Sequence, residues 1–146
     1  MIKKYNQYIK ENIHSDIDPY GEENWDDENL SPILQIAKNT GKPYDQITVL
    51  DCNCKQLTSL EGIEKLINLE YLYCGVNQLT SLAGIENLTN LNYLYCDHNQ
   101  LRSLDEIKNL NNLEIIFCRK NQFSIEYKEY LKEYCKKKKI KIYNHD

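Results

Sequence analysis

The sequence predicts an α/β fold. It is a short right-handed solenoid with a parallel β-sheet on its concave side, 3₁₀-like returns on its convex side and helical caps at both ends. Three observations lead there. First, a block beginning Leu69-Glu70-Tyr71-Leu72-Tyr73-Cys74 returns as Leu91-Asn92-Tyr93-Leu94-Tyr95-Cys96 and again as Leu113-Glu114-Ile115-Ile116-Phe117-Cys118, 22 residues on each time and without an insertion. Repetition at a fixed period of this length marks an array of like units. Second, the apolar spacing changes inside each unit. Leu72 and Cys74 alternate as in a strand, whereas Leu79, Leu82, Ile85, Leu88, Leu91 and Leu94 recur every three residues. A period of three suits 3₁₀ turns, where residues i and i+3 line up, and a full α-helix would need a longer repeat. Third, the segments flanking the array carry helix punctuation in place of the repeat. The chain therefore divides into an N-terminal helical cap with an acidic loop (1–46), the repeats (47–123) and a C-terminal helix–strand cap (124–146).

The elements follow in chain order. Ile2, Tyr5, Ile9 and Ile13 lie three and four apart, which predicts an amphipathic packing helix over 1–13. Residues 14–30 are acidic and turn-rich, with Trp25 as the anchor expected to dock them. Asp16, Asp18, Gly21 and Asp27 fall at positions 1, 3, 6 and 12 of a calcium loop. Tyr20 replaces the ligand at position 5, Pro19 stiffens the loop and Asp27 is shorter than the usual glutamate, so a solvated loop is the preferred reading. A second helix is expected over 31–46, with Ser31 as N-cap, Pro32 in the first turn, Gly41 as the left-handed stop and Pro43 preventing continuation. It caps the first repeat, whose outer face would otherwise meet water.

Asn77, Asn99 and Asn121 sit where each strand turns away. An amide there can satisfy backbone groups of its own and the adjacent turn. The first unit has Lys55 instead, as expected of a terminal unit without the preceding neighbour that such a ladder requires. Gln56, Gln78, Gln100 and Gln122 should face water, and Asn68, Asn90 and Asn112 form another polar column before the strands. After the array, Ser124 can cap a helix with Tyr127, Tyr130, Leu131 and Tyr134 on its apolar side, and Lys136 to Lys139 suit its C-terminal dipole. Ile140-Lys141-Ile142-Tyr143 alternates like a last edge strand.

Composition narrows the function classes. The 146 residues are enough for one domain with a continuous core, and the net charge is −4 with both signs spread along the chain. Nucleic-acid binders show a strong basic excess, so no nucleic acid is expected as partner. No apolar run approaches the roughly 20 residues that cross a membrane, and no membrane partner is expected. Met1 to Gln7 contain no apolar signal core, so a cytoplasmic location is expected. Four of the six cysteines, Cys52, Cys74, Cys96 and Cys118, stand 22 apart at one core position, where a free cysteine acts as a small hydrophobe. This implies a reduced protein rather than a disulfide framework.

The pattern Leu-x-x-Leu-x-Cys-x-x-Asn-x-Leu at a 22-residue period resembles the leucine-rich repeat. The phrase Leu-Thr-Ser-Leu-x-Gly-Ile-x-x-Leu, at 57–66 and 79–88, is similar to bacterial internalins and to the regulatory leucine-rich subunit of protein phosphatase 1. The Asn-, Lys- and Tyr-rich wording looks like the repeat proteins of AT-rich bacteria and giant DNA viruses. The resemblance covers about half of the chain and implies a protein-binding scaffold without naming the partner. The array is short, and the secretion signal that internalins carry is missing from it.

Candidate binding residues follow from the strand alternation. Beside the inward pair lie the columns Val49, Tyr71, Tyr93, Ile115 and Asp51, Tyr73, Tyr95, Phe117. Beyond them come Asn53, Gly75, Asp97, Arg119 and then Cys54, Val76, His98, Lys120. The expected partner-binding set is Tyr71, Tyr73, Tyr93, Tyr95, Phe117, Asp97, His98 and Arg119, since aromatics and arginine dominate interfaces. The expected partner is a protein, with self-association as a homodimer or pure cross-strand stabilisation as the competing readings. No enzyme, cofactor or metal is expected. The four in-line cysteines cannot converge on one ion, and no paired carboxylates, phosphate loop or triad spacing is present. The competing chemistry is calcium at 16–27 or a reactive thiol in the Cys52–Cys54 pair; Cys54 and Cys135 are the less constrained cysteines and are expected to be exposed.

Overall fold

The computed structural model describes residues 30–144. The helix expected over 1–13, the acidic loop with its calcium-like spacing, the Trp25 anchor and His145 lie outside the described residues. The described part opens with a short helix, α1 (Pro32–Lys38). Its N-cap Ser31 accepts from the Leu34 N–H at 3.3 Å and donates to the Glu61 carbonyl at 2.5 Å, which ties the helix start to the first repeat. Ile33, Leu34 and Ala37 are buried against the array. A side chain at Gly62 would strike Leu34, so the glycine lets the cap close on the repeat. The helix ends at Lys38, earlier than the punctuation suggests. Gly41 does adopt a left-handed φ of 70°, and a 3₁₀ turn over Tyr44–Gln46 leads into the first strand.

Five three-residue strands follow in one parallel sheet, in the order β1 (Val49–Asp51), β2 (Tyr71–Tyr73), β3 (Tyr93–Tyr95), β4 (Ile115–Phe117) and β5 (Lys141–Tyr143). Their register is the repeat itself: Leu50, Leu72, Leu94, Ile116 and Ile142 are aligned partners. The returns are 3₁₀ turns at Ile63–Lys65, Ile85–Asn87 and Asp105–Asn109, as the period of three predicts. The core runs the length of the stack, with Leu72, Leu94 and Ile116 fully buried beside Cys74 and Cys96. Burying each leucine contributes about 1.5–3 kcal/mol, so the stack is held by repetition of one modest term.

The asparagine column performs the role its position implies. Asn99 Nδ2 donates to the Cys74 and Cys96 carbonyls at 3.0 and 3.2 Å, and its Oδ1 accepts from the Leu79 N–H at 3.0 Å. Asn77 and Asn121 repeat the pattern one turn below and one above. Each amide thus joins its own unit to the preceding one, a service that the first unit, with Lys55, has no earlier repeat to receive. A second polar column also forms: Asn68, Asn90 and Asn112 donate to the carbonyls of Asp45, Ile67 and Thr89.

At the far end α2 (Ile125–Lys138) begins at Ser124, whose Oγ accepts from the Tyr127 N–H. Leu131 and Cys135 are its buried residues, and Tyr127 donates no cap of its own but accepts from the Leu104 N–H at 2.7 Å. Cys135 is therefore core, against the expectation that it is exposed; Cys54 is exposed as expected. Of the expected apolar side of α2, Leu131 is buried and Tyr127 and Tyr134 pack partly buried against the core, whereas Tyr130 is exposed.

Candidate functional site

The outward side chains of the strands form two aligned columns. One is Val49, Tyr71, Tyr93, Ile115, Lys141; the other is Asp51, Tyr73, Tyr95, Phe117, Tyr143. Parallel strands stand about 4.8 Å apart, which brings successive rings within contact. Tyr73 lies 5.3 Å from Tyr93 and 6.4 Å from Tyr95, Phe117 lies 5.7 Å from Tyr93 and 5.9 Å from Tyr95, and Tyr71 lies 6.1 Å from Tyr93. All five pairs are tilted, the arrangement that ring quadrupoles favour over a face-to-face sandwich. Tyr143 extends the network by stacking on Phe117 at 4.4 Å. Sequence reasoning missed Tyr143 as a member, because it lies 26 residues after Phe117 and so outside the 22-residue count. The alternation of Ile140 and Ile142 was the available signal.

The rings are supported from below yet remain accessible: Tyr71 is 37 % and Tyr143 47 % exposed. Burial first, then the neighbouring tyrosines, push the Tyr93 hydroxyl above its usual pKa, so it stays a neutral donor and acceptor at physiological pH. Tyr95 is shifted the same way, by burial first and then Asp97. Gly75 creates the space that the Tyr95 ring uses, since a Cβ there would overlap the ring.

The third column departs from its expected role. Asp97 is 1 % exposed and offers no contact to a partner. Its Oδ1 accepts from the Arg119 N–H at 2.6 Å, and its Oδ2 accepts from Arg119 Nε and Nη2, both at 2.8 Å. Asn53 plays the matching backbone role two units earlier, accepting from the Gly75 N–H. Asp97 thus fixes the guanidinium of Arg119, which is 46 % exposed at the margin of the aromatic face. The fourth column leaves the sheet altogether. Cys54, Val76, His98 and Lys120 have φ of 53–56°, a left-handed bend at which the chain turns off the strand. His98 is exposed there, beside the face and not on it.

The remaining chemistry reads as scaffold. Burial pushes Cys52 and Cys118 up to about 12, and Cys74 and Cys96 also rise well above the usual thiol range. Thiols held this way are poor nucleophiles. Cys52 and Cys96 donate to the carbonyls of Tyr73 and Phe117. Among the described residues no group of three or more His, Cys, Asp or Glu is placed to hold a metal ion, and no helix is long and apolar enough to cross a membrane. An open recess of about 510 Å³ lies before the strands, lined by Glu70, Asn92, Glu114, Lys138 and other polar side chains. It lacks the apolar walls that ligand pockets use to bury small molecules.

A family model and one solved structure agree with this geometry. The family described as Leucine Rich repeats (2 copies) matches residues 45–88. A comparison with curated proteins finds no match. Among solved structures, an internalin (inlF) from Listeria monocytogenes aligns with a TM-score of 0.57 and 28 % identity over 66 % of this chain and 34 % of its own. The chain therefore spans about a third of the length of that internalin. Internalin C2 (inlC2) of the same species is 20 % identical over 63 % of this chain and 74 % of its own, with a TM-score of 0.29. The matched repeat, the 3₁₀ returns and the five-stranded parallel sheet give this chain the fold of a leucine-rich-repeat solenoid.

Proposed function

We propose that this chain is a non-enzymatic interaction module that binds a protein partner through the aromatic concave face, and that it acts in the cytoplasm. Leucine-rich-repeat domains generally mediate protein–protein interaction, and internalin-like folds are typically of this kind. The observation that carries the reading is the connected, accessible network of Tyr71, Tyr73, Tyr93, Tyr95, Phe117 and Tyr143. Tyrosine supplies a large rigid contact area at low entropic cost, with a hydroxyl to select hydrogen-bonding partners. Arg119 belongs to the same face. Asp97 acts through it as a positioning residue, and His98 stands at its edge.

The test is affinity capture of the wild-type chain and of the double variant Tyr73→Ala/Tyr95→Ala, followed by mass spectrometry and titration of the captured protein. A specific partner whose affinity drops at least tenfold in the double variant is expected, given the about 2 kcal/mol typical of a central aromatic. Unchanged affinity would place binding elsewhere. Light scattering over a concentration series separates a heterologous partner from a homodimer through the same face.

A further inference from the structure

The charges on this face differ between its two ends. Among the described residues its only acidic strand residue, Asp51, stands on β1, whereas Arg119 stands two residues past the end of β4 and Lys141 on β5. The two ends are four strand spacings apart, about 19 Å. Arg119 differs from the lysines in being held. Its Nε and Nη2 are anchored at 2.8 Å on a carboxylate that is itself 1 % exposed, and its own N–H holds the other oxygen of that carboxylate. A planar fork pinned on one side presents its remaining N–H groups in one direction and loses little rotamer freedom on pairing. Only Asn53, Gly75 and Asp97 occupy the equivalent places in the other units, so the device occurs once, beside Phe117 and Tyr143.

On the protein-binding reading above, we propose that the partner is a peptide segment carrying a carboxylate that docks on Arg119 next to apolar side chains lying on the rings. Guanidinium recognises carboxylate through paired N–H donors, and the adjacent rings exclude water from one flank of that pair. Lys141 adds positive charge at the same end of the sheet, so an acidic group is favoured there even though the chain as a whole carries a net charge of −4. Asp97 acts as the positioning residue for this contact.

Simple removal of Arg119 would leave Asp97 as a buried charge without its partner, a change that destabilises the fold for reasons unrelated to binding. The informative variant is therefore Asp97→Asn/Arg119→Ala. It removes both charges, keeps an acceptor for the N–H of residue 119 and leaves the net charge of the chain unaltered. A random peptide library displayed on phage is selected on three immobilised full-length chains: wild type, this variant and Tyr73→Ala/Tyr95→Ala. Wild type is expected to enrich peptides that combine apolar residues with Asp or Glu. The charge-neutral variant should retain the apolar preference and lose the acidic one. A synthetic wild-type-selected peptide should bind wild type about tenfold or more tightly than its Asp→Asn or Glu→Gln analogue, a ratio that falls towards one in the variant. Enriched peptides without acidic preference, or an acidic preference that survives the variant, overturn this proposal while leaving the face intact. Selection that is indifferent to Tyr73→Ala/Tyr95→Ala overturns the face, and this proposal with it.

Discussion

The inward and outward columns of the same strands are separated by one residue and follow different rules. Inside, the units repeat almost letter for letter: Leu50, Leu72, Leu94, Ile116 in one column and Cys52, Cys74, Cys96, Cys118 in the next. Outside, Val49, Tyr71, Tyr93, Ile115 and Lys141 succeed one another along a single column. An inward side chain meets copies of itself above and below at a fixed spacing and a closed wall ahead, so a change in size leaves a void or a clash. An outward side chain meets copies on two sides but solvent ahead. Its identity is free to carry binding chemistry at little expense to the fold.

The largest expected effect tests the closed side chemically. Burial raises Cys52 and Cys118 from 9.0 to about 12 and Cys135 to about 11. An unfolded thiol releases its proton near pH 9, and these folded thiols do so only near 11 to 12. The folded chain therefore holds more protons in that window, and stability present below pH 9 is lost as the pH rises through it. Urea midpoints measured from pH 7 to 11 under reducing conditions should be level up to about pH 8.5 and then decline steeply. A flat profile would mean that the thiol column is open to solvent.

Next in size, Leu94→Ala should lower stability by about 2–5 kcal/mol in denaturant titrations. Tyr73→Ala, on the neighbouring column position, should cost about 1 kcal/mol. Equal losses would erase the distinction between the two sides. Asn99→Ala leaves the Leu79 N–H without its partner and removes one of the two amide donors to the Cys74 carbonyl. About 2 kcal/mol is expected, together with faster hydrogen exchange at Leu79. The smallest effect has the opposite sign. Val76 is β-branched and held at a φ of 53°, where short polar residues are more at ease. Val76→Asn should raise stability by up to about 1 kcal/mol, read as a higher melting temperature.

Much of the architecture was legible because the period does the work. The apolar spacing of two and then three located the strands and 3₁₀ returns, and Ser31 and Ser124 marked both helix starts. The asparagine ladder was legible too, since an amide recurring at a bend has few other uses. The candidate face was partly legible. Alternation placed Tyr71, Tyr73, Tyr93, Tyr95 and Phe117 together, whereas Tyr143 escaped because the C-terminal helix breaks the count. Asp97 was misjudged as a contact residue. Charge and column position look the same for a carboxylate that meets a partner and for one that meets the next unit's N–H. Cys135 was misjudged for the related reason that a lone cysteine outside the repeat carries no periodic signal of burial.

Periodicity alone was enough to establish the stack, its register and the division of each strand into a packed and an open side, because those follow from spacing along one chain. The pinned Arg119, the space over Gly75 occupied by the Tyr95 ring and the stacking of Tyr143 on Phe117 depend on atoms from different units meeting. Those meetings are set by distances of a few ångströms between turns. Such distances come into being only when the turns are assembled on one another.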